Sequence, residues 1–205
     1  KWETAAGDAS EVAGEFARFD ITPTGASATD DFRNEASTYG YIVEIDPYTS
    51  NTLAVKRTAL GRFRHEGCCP GLPVAGKPLV WYTGDDSNNE YLYKFVSDAL
   101  WDPADANPAD RLATGAKYLD QGKLYVARFN ADGTGVWLLL DVTTPTTGGG
   151  TLGALYGDLP GILLNTRGAG DAVGATPMDR PEWTTVNPLN GDVYLTLTNN
   201  SARTP

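Results

Sequence analysis

Hydrophobic and polar residues alternate in short runs along much of the chain, and turn residues separate the runs. A period of two, carried by β-branched and aromatic residues, is typical of strands that bury one face. Strands are therefore predicted at residues 39–45, 52–56, 79–83, 91–96, 122–129, 135–142, 183–187 and 192–197. The Asn190-Gly191 turn joins the last two runs and indicates a tight hairpin.

The remaining segments are predicted to be less regular. They comprise a polar lead-in over residues 1–38, a connector over 60–67, a proline- and glycine-rich stretch over 70–78, and insertions over 98–115 and 143–174. A short helix weakened by Gly14 is predicted over 11–19. A partial helix is predicted over 152–168, with an interruption at Pro160-Gly161.

A strand, a turn and a second strand recur at least four times, and each unit has the size of a propeller blade or half-blade. We therefore predict an all-β fold, a β-propeller represented by a partial set of blades with loop insertions. Residues 1–205 would be part of a single propeller domain, with the blade-forming region at 39–201. A β-sandwich remains open, because short strands with turn signals are common to both architectures.

Composition and charge narrow the classes of function. The chain has 205 residues, of which 41% are hydrophobic and 20% charged, as in globular proteins. A formal net charge of −10 argues against binding to nucleic acid, which requires clustered Lys and Arg. No apolar run approaches the roughly 20 residues of a membrane-spanning helix. The adjacent Cys68 and Cys69 are poorly placed for a structural disulfide, and the single histidine, His65, excludes mechanisms that need two imidazoles.

Several acidic residues stand at strand ends or in glycine- and proline-defined loops: Glu44, Glu66, Asp85, Asp86 and Glu182. Loops on one face of a propeller converge on its axis, so such carboxylates could surround one cavity and bind hard cations. Arg180 stands between Pro177 and Pro181. Its planar, charged guanidinium can donate two parallel hydrogen bonds to a phosphate or carboxylate. Taken residue by residue, solvated surface loops explain the same pattern equally well.

The residue sequences of these motifs resemble those of the PhoX family of alkaline phosphatases. The resemblance is carried in order by blocks at 39–47, 56–67, 82–86, 90–96, 179–182 and 187–200, including His65-Glu66-Gly67, Gly84-Asp85-Asp86 and Asp179-Arg180-Pro181-Glu182. It implies a β-propeller that hydrolyses phosphate monoesters with iron and calcium, Fe3+ and Ca2+. It also implies a periplasmic or secreted bacterial protein that is exported by the twin-arginine route.

The same resemblance implies roles for individual residues. Glu66 and Glu182 correspond to iron ligands and Asp85 to a calcium ligand, with Glu44 or Asp86 as further calcium ligands. Arg180 corresponds to the catalytic residue that binds the phosphate of the substrate. One departure is that the chain lacks the family's upstream block with an iron-ligating cysteine, and Cys68 and Cys69 do not match it.

Family members are also considerably longer than this chain. We therefore expect other parts of the same parent polypeptide to complete the metal centre, and weak or absent turnover by the 205 residues alone. Two alternatives remain open at this stage. The chain could be a propeller fragment without catalysis, or a calcium-dependent lactonase or phosphotriesterase-like propeller that uses Glu44, Asp85 and Asn199.

Overall fold

The computed structural model describes residues 20–203, which form two compact units divided after Gly40. In the described residues of the first unit, 20–40, the chain forms bends, turns and one 3-10 turn, Ala36–Thr38. Asp31 organises it by accepting the backbone N–H groups of Thr24 and Gly25 and by pairing with Arg33. The helix predicted over 11–19 lies outside the described residues.

The second unit contains eleven strands and four α-helices within the described residues. The strands are β1 (Val43–Glu44), β2 (Val55–Lys56), β3 (His65–Pro70), β4 (Pro78–Asp85), β5 (Asn88–Glu90), β6 (Leu92–Leu100), β7 (Gly122–Phe129), β8 (Gly135–Leu139), β9 (Met178–Asp179), β10 (Pro181–Val186) and β11 (Val193–Leu197). The helices are α1 (Arg111–Leu119), α2 (Leu152–Tyr156), α3 (Leu159–Leu164) and α4 (Thr166–Val173).

The largest sheet is antiparallel and has the order β3-β4-β6-β7-β8. Its register places Trp81 opposite Phe95 and Phe95 opposite Leu124, so these side chains share one face. That face packs against residues of α2, α3 and α4 to form the core. The core contains Leu60, Phe63, Tyr91, Tyr93, Phe95, Leu124, Val126, Leu140, Leu152, Ile162, Ala169, Val173 and Ala175.

The helices begin where the sequence supplies acceptors for their first N–H groups. Asp110, Thr151 and Asp158 cap α1, α2 and α3. Pro160 lies in the first turn of α3, where the N–H that proline lacks would have no partner within the helix. The partial helix predicted over 152–168 is therefore present, but it breaks at Gly157, where α2 ends, instead of at the proline.

The pattern-based strand predictions are largely confirmed, with one important omission. The 122–129 strand has the predicted bounds, and it forms a hairpin with β8, which begins where the strand predicted over 135–142 begins. β3, an edge strand of the main sheet, begins in the segment predicted as a connector over 60–67 and continues to Pro70. Glycine and proline have low strand propensity, and pairing with β4 decides the conformation of this segment.

The predicted predominance of sheet is confirmed, but not the full architecture. Four short helices accompany the strands, and none of the sheets among residues 20–203 closes on itself. The propeller arrangement therefore stays a prediction. Across the described part of the chain, no helix combines the length and apolar character required to cross a bilayer. Cys68 and Cys69 are both free, as expected.

Candidate functional site

Arg180 lies in a strained connection between β9 and β10. Its φ of 49° is in the left-handed region, which residues with a side chain rarely adopt. The following Pro181 restricts the backbone further. Non-glycine residues in such conformations persist where the surrounding structure fixes them, and they cluster at functional sites.

Carboxylates surround the guanidinium group of Arg180. Its Nη2 lies 2.7 Å from Oδ1 of Asp86 and 3.4 Å from Oε1 of Glu182. Hydrogen bonding to Asp86 raises the pKa of Arg180, and the charges of Glu182 and Glu66 raise it further. About a third of the arginine side chain, 34%, remains exposed. The structure thus brings two of the predicted metal ligands, Asp86 and Glu182, into contact with the predicted phosphate-binding arginine, and a third, Glu66, stands opposite Gly84 on the neighbouring strand.

Gly84 allows these groups to approach one another. In the β3–β4 ladder it stands opposite Glu66, and its α-carbon faces the backbone of Pro181 and Glu182. A Cβ at this position would overlap the carbonyl oxygens of both residues. Glycine at position 84 therefore lets β10 lie directly against β4, which places Glu182 near Glu66.

A buried ion pair with α4 fixes the start of the loop that carries Asp86. Asp85 is fully buried, and its two carboxylate oxygens accept hydrogen bonds of 2.6 Å from Nε and Nη2 of Arg167 in α4. Burial raises the pKa of Asp85 and lowers the pKa of Arg167 to about 10. Burial thus disfavours both charges, and the bidentate contact is what offsets that cost.

Arg167 is a residue that the sequence analysis missed. A single arginine within the glycine- and alanine-rich run 166–174 was the available signal, since a charged residue among small ones can be buried if it finds a partner. Sequence alone could not show that the partner lies 82 residues away, at Asp85.

A third segment, residues 198–203, supports the acidic side of the site. Thr198 donates a hydrogen bond of 2.8 Å from Oγ1 to Oε1 of Glu182. Asn200 donates from Nδ2 to Oδ1 of Asp179 at 2.9 Å, and Arg203 forms an ion pair with the same aspartate. The carboxylates on either side of Arg180 are therefore both oriented by neighbours.

Glu44 belongs to a different cluster. Its carboxylate accepts a hydrogen bond of 2.7 Å from Nε of the buried Arg57, whose Nη1 binds Asp120. It also lies against Gly115 of α1. This cluster joins β1 to α1, and the predicted metal role of Glu44 stays a prediction.

His65 has a structural environment at the start of β3. Its ring nitrogens lie 3.1 Å from the Gly61 carbonyl oxygen and 3.1 Å from Oγ1 of Thr83. Burial lowers the pKa of His65 to about 4, so the ring is neutral at ordinary pH. A neutral ring with both nitrogens engaged anchors the strand that carries Glu66.

The carboxylates fit a hard cation in their chemistry, but they do not form a complete site. Among residues 20–203, no group of three or more His, Cys, Asp or Glu side chains is arranged to hold a metal ion. Glu66 and Glu182 lie on strands that meet at Gly84, and both supply the oxygen donors that hard cations take. They fit as two members of a larger ligand set.

The surroundings of Asp85 also admit a cation only in part. Arg167 engages both oxygens, although each carboxylate oxygen has a second lone pair. Oε2 of the neighbouring Glu90 has no hydrogen-bond partner, and burial together with Asp171 raises the pKa of Glu90 to about 7. An unsatisfied carboxylate oxygen of this kind is one that a calcium ion could bind.

Comparison with known proteins gives two matches of consequence. A family model described as "Alkaline phosphatase PhoX" matches residues 3–205. Among solved structures, Pseudomonas fluorescens PhoX in complex with vanadate, a transition state analogue, matches with a TM-score of 0.71 and 40% sequence identity over 83% of this chain. No curated protein matches. The chain spans only 29% of the length of the Pseudomonas fluorescens protein. A family match over nearly the whole sequence, together with this structural likeness, shows that the chain belongs to the PhoX alkaline phosphatase family.

Proposed function

We propose that this chain forms part of a phosphomonoesterase and that Arg180 binds the phosphate of the substrate. The observation that carries the proposal is the exposed third of the Arg180 side chain, on a strained loop beside the carboxylates of Asp86 and Glu182. Family membership supports the reaction class. The vanadate complex of the Pseudomonas fluorescens protein supports an oxyanion as the kind of ligand.

The geometry suggests how the arginine would work. Asp86 and Glu182 both approach Nη2, so the remaining N–H groups of the planar guanidinium can donate to phosphate oxygens. The left-handed backbone and the two carboxylates fix the fork before substrate arrives, which lowers the entropic cost of binding. A fixed guanidinium also stabilises the charge that moves toward the leaving oxygen in the transition state.

Carboxylates close to a phosphate would repel it unless cations are present. We propose that Glu66 and Glu182 hold Fe3+, and that Asp85, Asp86 and Glu44 are the candidates for Ca2+. When bound, these ions would supply Lewis-acid stabilisation of the phosphoryl group. The remaining ligands, and the strands needed to complete a β-propeller, would come from other parts of the same parent polypeptide. We place that polypeptide in the periplasm or outside the cell.

The test uses the full-length polypeptide that contains this chain. It is expected to hydrolyse an aryl phosphate at alkaline pH, and Arg180→Ala is expected to lower kcat/KM about 100-fold or more. Arg180→Lys keeps the charge but loses the planar fork, so we expect it to restore only part of the rate. Arg128→Ala, at an exposed arginine of β7, is the matched control and should leave the rate unchanged. Equal rates for Arg180→Ala and the control would contradict the proposal.

The metal assignment has its own readout. Elemental analysis of the active full-length protein should find iron and calcium, and Glu66→Ala or Glu182→Ala should reduce the iron content. Iron-free protein with full activity would remove the iron assignment while leaving the role of Arg180 in place.

The second candidate is that the piece is not catalytic by itself, because it corresponds to 29% of the length of the Pseudomonas fluorescens protein. The 205-residue chain alone is accordingly expected to show weak or no hydrolysis of phosphate esters. Strong turnover by the chain alone would contradict this expectation, and hydrolysis of a lactone in place of an aryl phosphate would favour the lactonase alternative.

A further inference from the structure

Arg167 reaches three groups of the segment that follows β4. Besides the bidentate contact with Asp85, its Nη2 donates to Oγ of Ser87 at 2.9 Å, and its Nε lies 3.6 Å from Oε1 of Glu90. The arginine side chain is only 8% exposed. One buried guanidinium from α4 therefore spans the segment 85–90 from its first residue to its last.

The segment 85–90 is in turn attached to the loop that carries Arg180. Asp86 pairs with the guanidinium of Arg180, and the β5–β9 ladder pairs Asn88 with Asp179. The side chain of Asn200 binds both Asn89 and Asp179, which adds a bridge between the two segments. A displacement of the segment would consequently move the carboxylate that orients Arg180.

We infer that Arg167 is a positioning residue that sets the place of Arg180 through Asp85 and Asp86. Its contacts with Asp85, Ser87 and Glu90 lie in the segment that carries Asp86, and Asp86 links this segment to Arg180. The consequence for phosphate binding rests on the proposed function, whereas the mechanical link between Arg167 and the 178–182 loop does not.

The experiment replaces Arg167 with lysine in the full-length polypeptide. Lysine retains the positive charge but presents a single ammonium group in place of the fork that binds Asp85 and Ser87 together. We expect the inhibition constant of inorganic phosphate, and KM for an aryl phosphate, to rise about tenfold, since small misplacements of a binding group have effects of this size or larger. A smaller change is expected in kcat.

A second readout is hydrogen exchange of the backbone over 176–186. It should become faster in Arg167→Lys, because the 85–90 segment that Arg167 holds pairs with this part of the chain in the β5–β9 ladder. Arg33→Lys is the matched control, because Arg33 makes the same bidentate contact with an aspartate, Asp31, in the first compact unit. That variant should change neither phosphate inhibition nor exchange over 176–186.

The outcomes separate the two proposals. If the wild-type protein neither binds phosphate nor hydrolyses its esters, the proposed function fails, and hydrogen exchange alone decides whether Arg167 positions the 178–182 loop. If Arg180→Ala abolishes activity while Arg167→Lys leaves phosphate inhibition and exchange at wild-type values, the inference is overturned. Should Arg167→Lys fail to fold, Ser87→Ala replaces it: a rise of about threefold in the phosphate inhibition constant supports the inference, and an unchanged constant overturns it.

Discussion

Asp85 and Asp86 are neighbours in the chain, and each pairs with an arginine, but the two pairs differ in burial and geometry. Arg167 engages both oxygens of Asp85 in the interior, whereas Arg180 touches Asp86 through one nitrogen and keeps a third of its side chain exposed. The buried pair cannot exchange partners without leaving a charge unpaired in the protein. The exposed pair can accept a ligand, so anchoring and binding are divided between adjacent residues.

The largest expected effect comes from breaking the buried pair. Asp85→Ala leaves the guanidinium of Arg167 without its main partner, and we expect it to lower the free energy of unfolding by about 3–5 kcal/mol. The measurement is urea denaturation of the full-length polypeptide.

The adjacent variant is the control for that measurement. Asp86→Ala removes an aspartate of the same size from a solvent-screened pair, so its effect on stability should be a small fraction of that of Asp85→Ala. Similar losses of stability for the two variants would show that burial does not distinguish these pairs.

An intermediate effect is expected from crowding the contact between β4 and β10. Gly84→Ala introduces a methyl group that overlaps the carbonyl oxygens of Pro181 and Glu182. Because these are backbone atoms, the overlap is relieved only if β10 moves away from β4. We expect a loss of about 1–3 kcal/mol in stability, together with weaker inhibition by phosphate because Arg180 moves with the strand.

Gly148→Ala is the matched control for this substitution, since a Cβ at Gly148 would meet no atom within 4 Å. If both alanine variants had wild-type stability and phosphate inhibition, the prediction that position 84 requires glycine for the approach of β10 would be contradicted.

The smallest effect concerns the backbone of Arg180. Glycine adopts a φ of 49° without the steric cost that alanine has there, so Arg180→Gly should melt about 2 °C higher than Arg180→Ala. Both variants lose the guanidinium and should bind phosphate equally poorly. A higher melting temperature for the alanine variant would mean that the left-handed conformation is not retained without arginine.

Prediction from the sequence succeeded where the relevant pattern is local. Alternation of residue types located the strands that became β4, β6, β7, β8, β10 and β11, and the Asn190-Gly191 turn located the hairpin between β10 and β11. It failed for β3, because that strand lacks the pattern and is formed by pairing with β4. It also missed that α2, α3 and α4, although short, supply one side of the core, since an all-β fold was predicted.

The candidate site shows the same division. The motifs singled out Glu66, Asp86, Arg180 and Glu182, and the structure places Asp86 and Glu182 at the guanidinium of Arg180. The motifs gave no reason to separate Asp85 from Asp86. That separation arises because successive residues leaving a strand point in opposite directions, one toward α4 and the other toward the surface.

The sequence by itself determined the family, most of the strands and the residue types that a phosphate-binding site requires, because these depend on local order along the chain. Only the tertiary structure decided that Arg167 holds Asp85 from 82 residues away and that Glu44 belongs to another cluster. It also decided that Gly84 admits β10 close enough to bring Glu182 beside Glu66. These are contacts between distant segments, and the free energy of burying a charge or closing a packing gap depends on which segments meet.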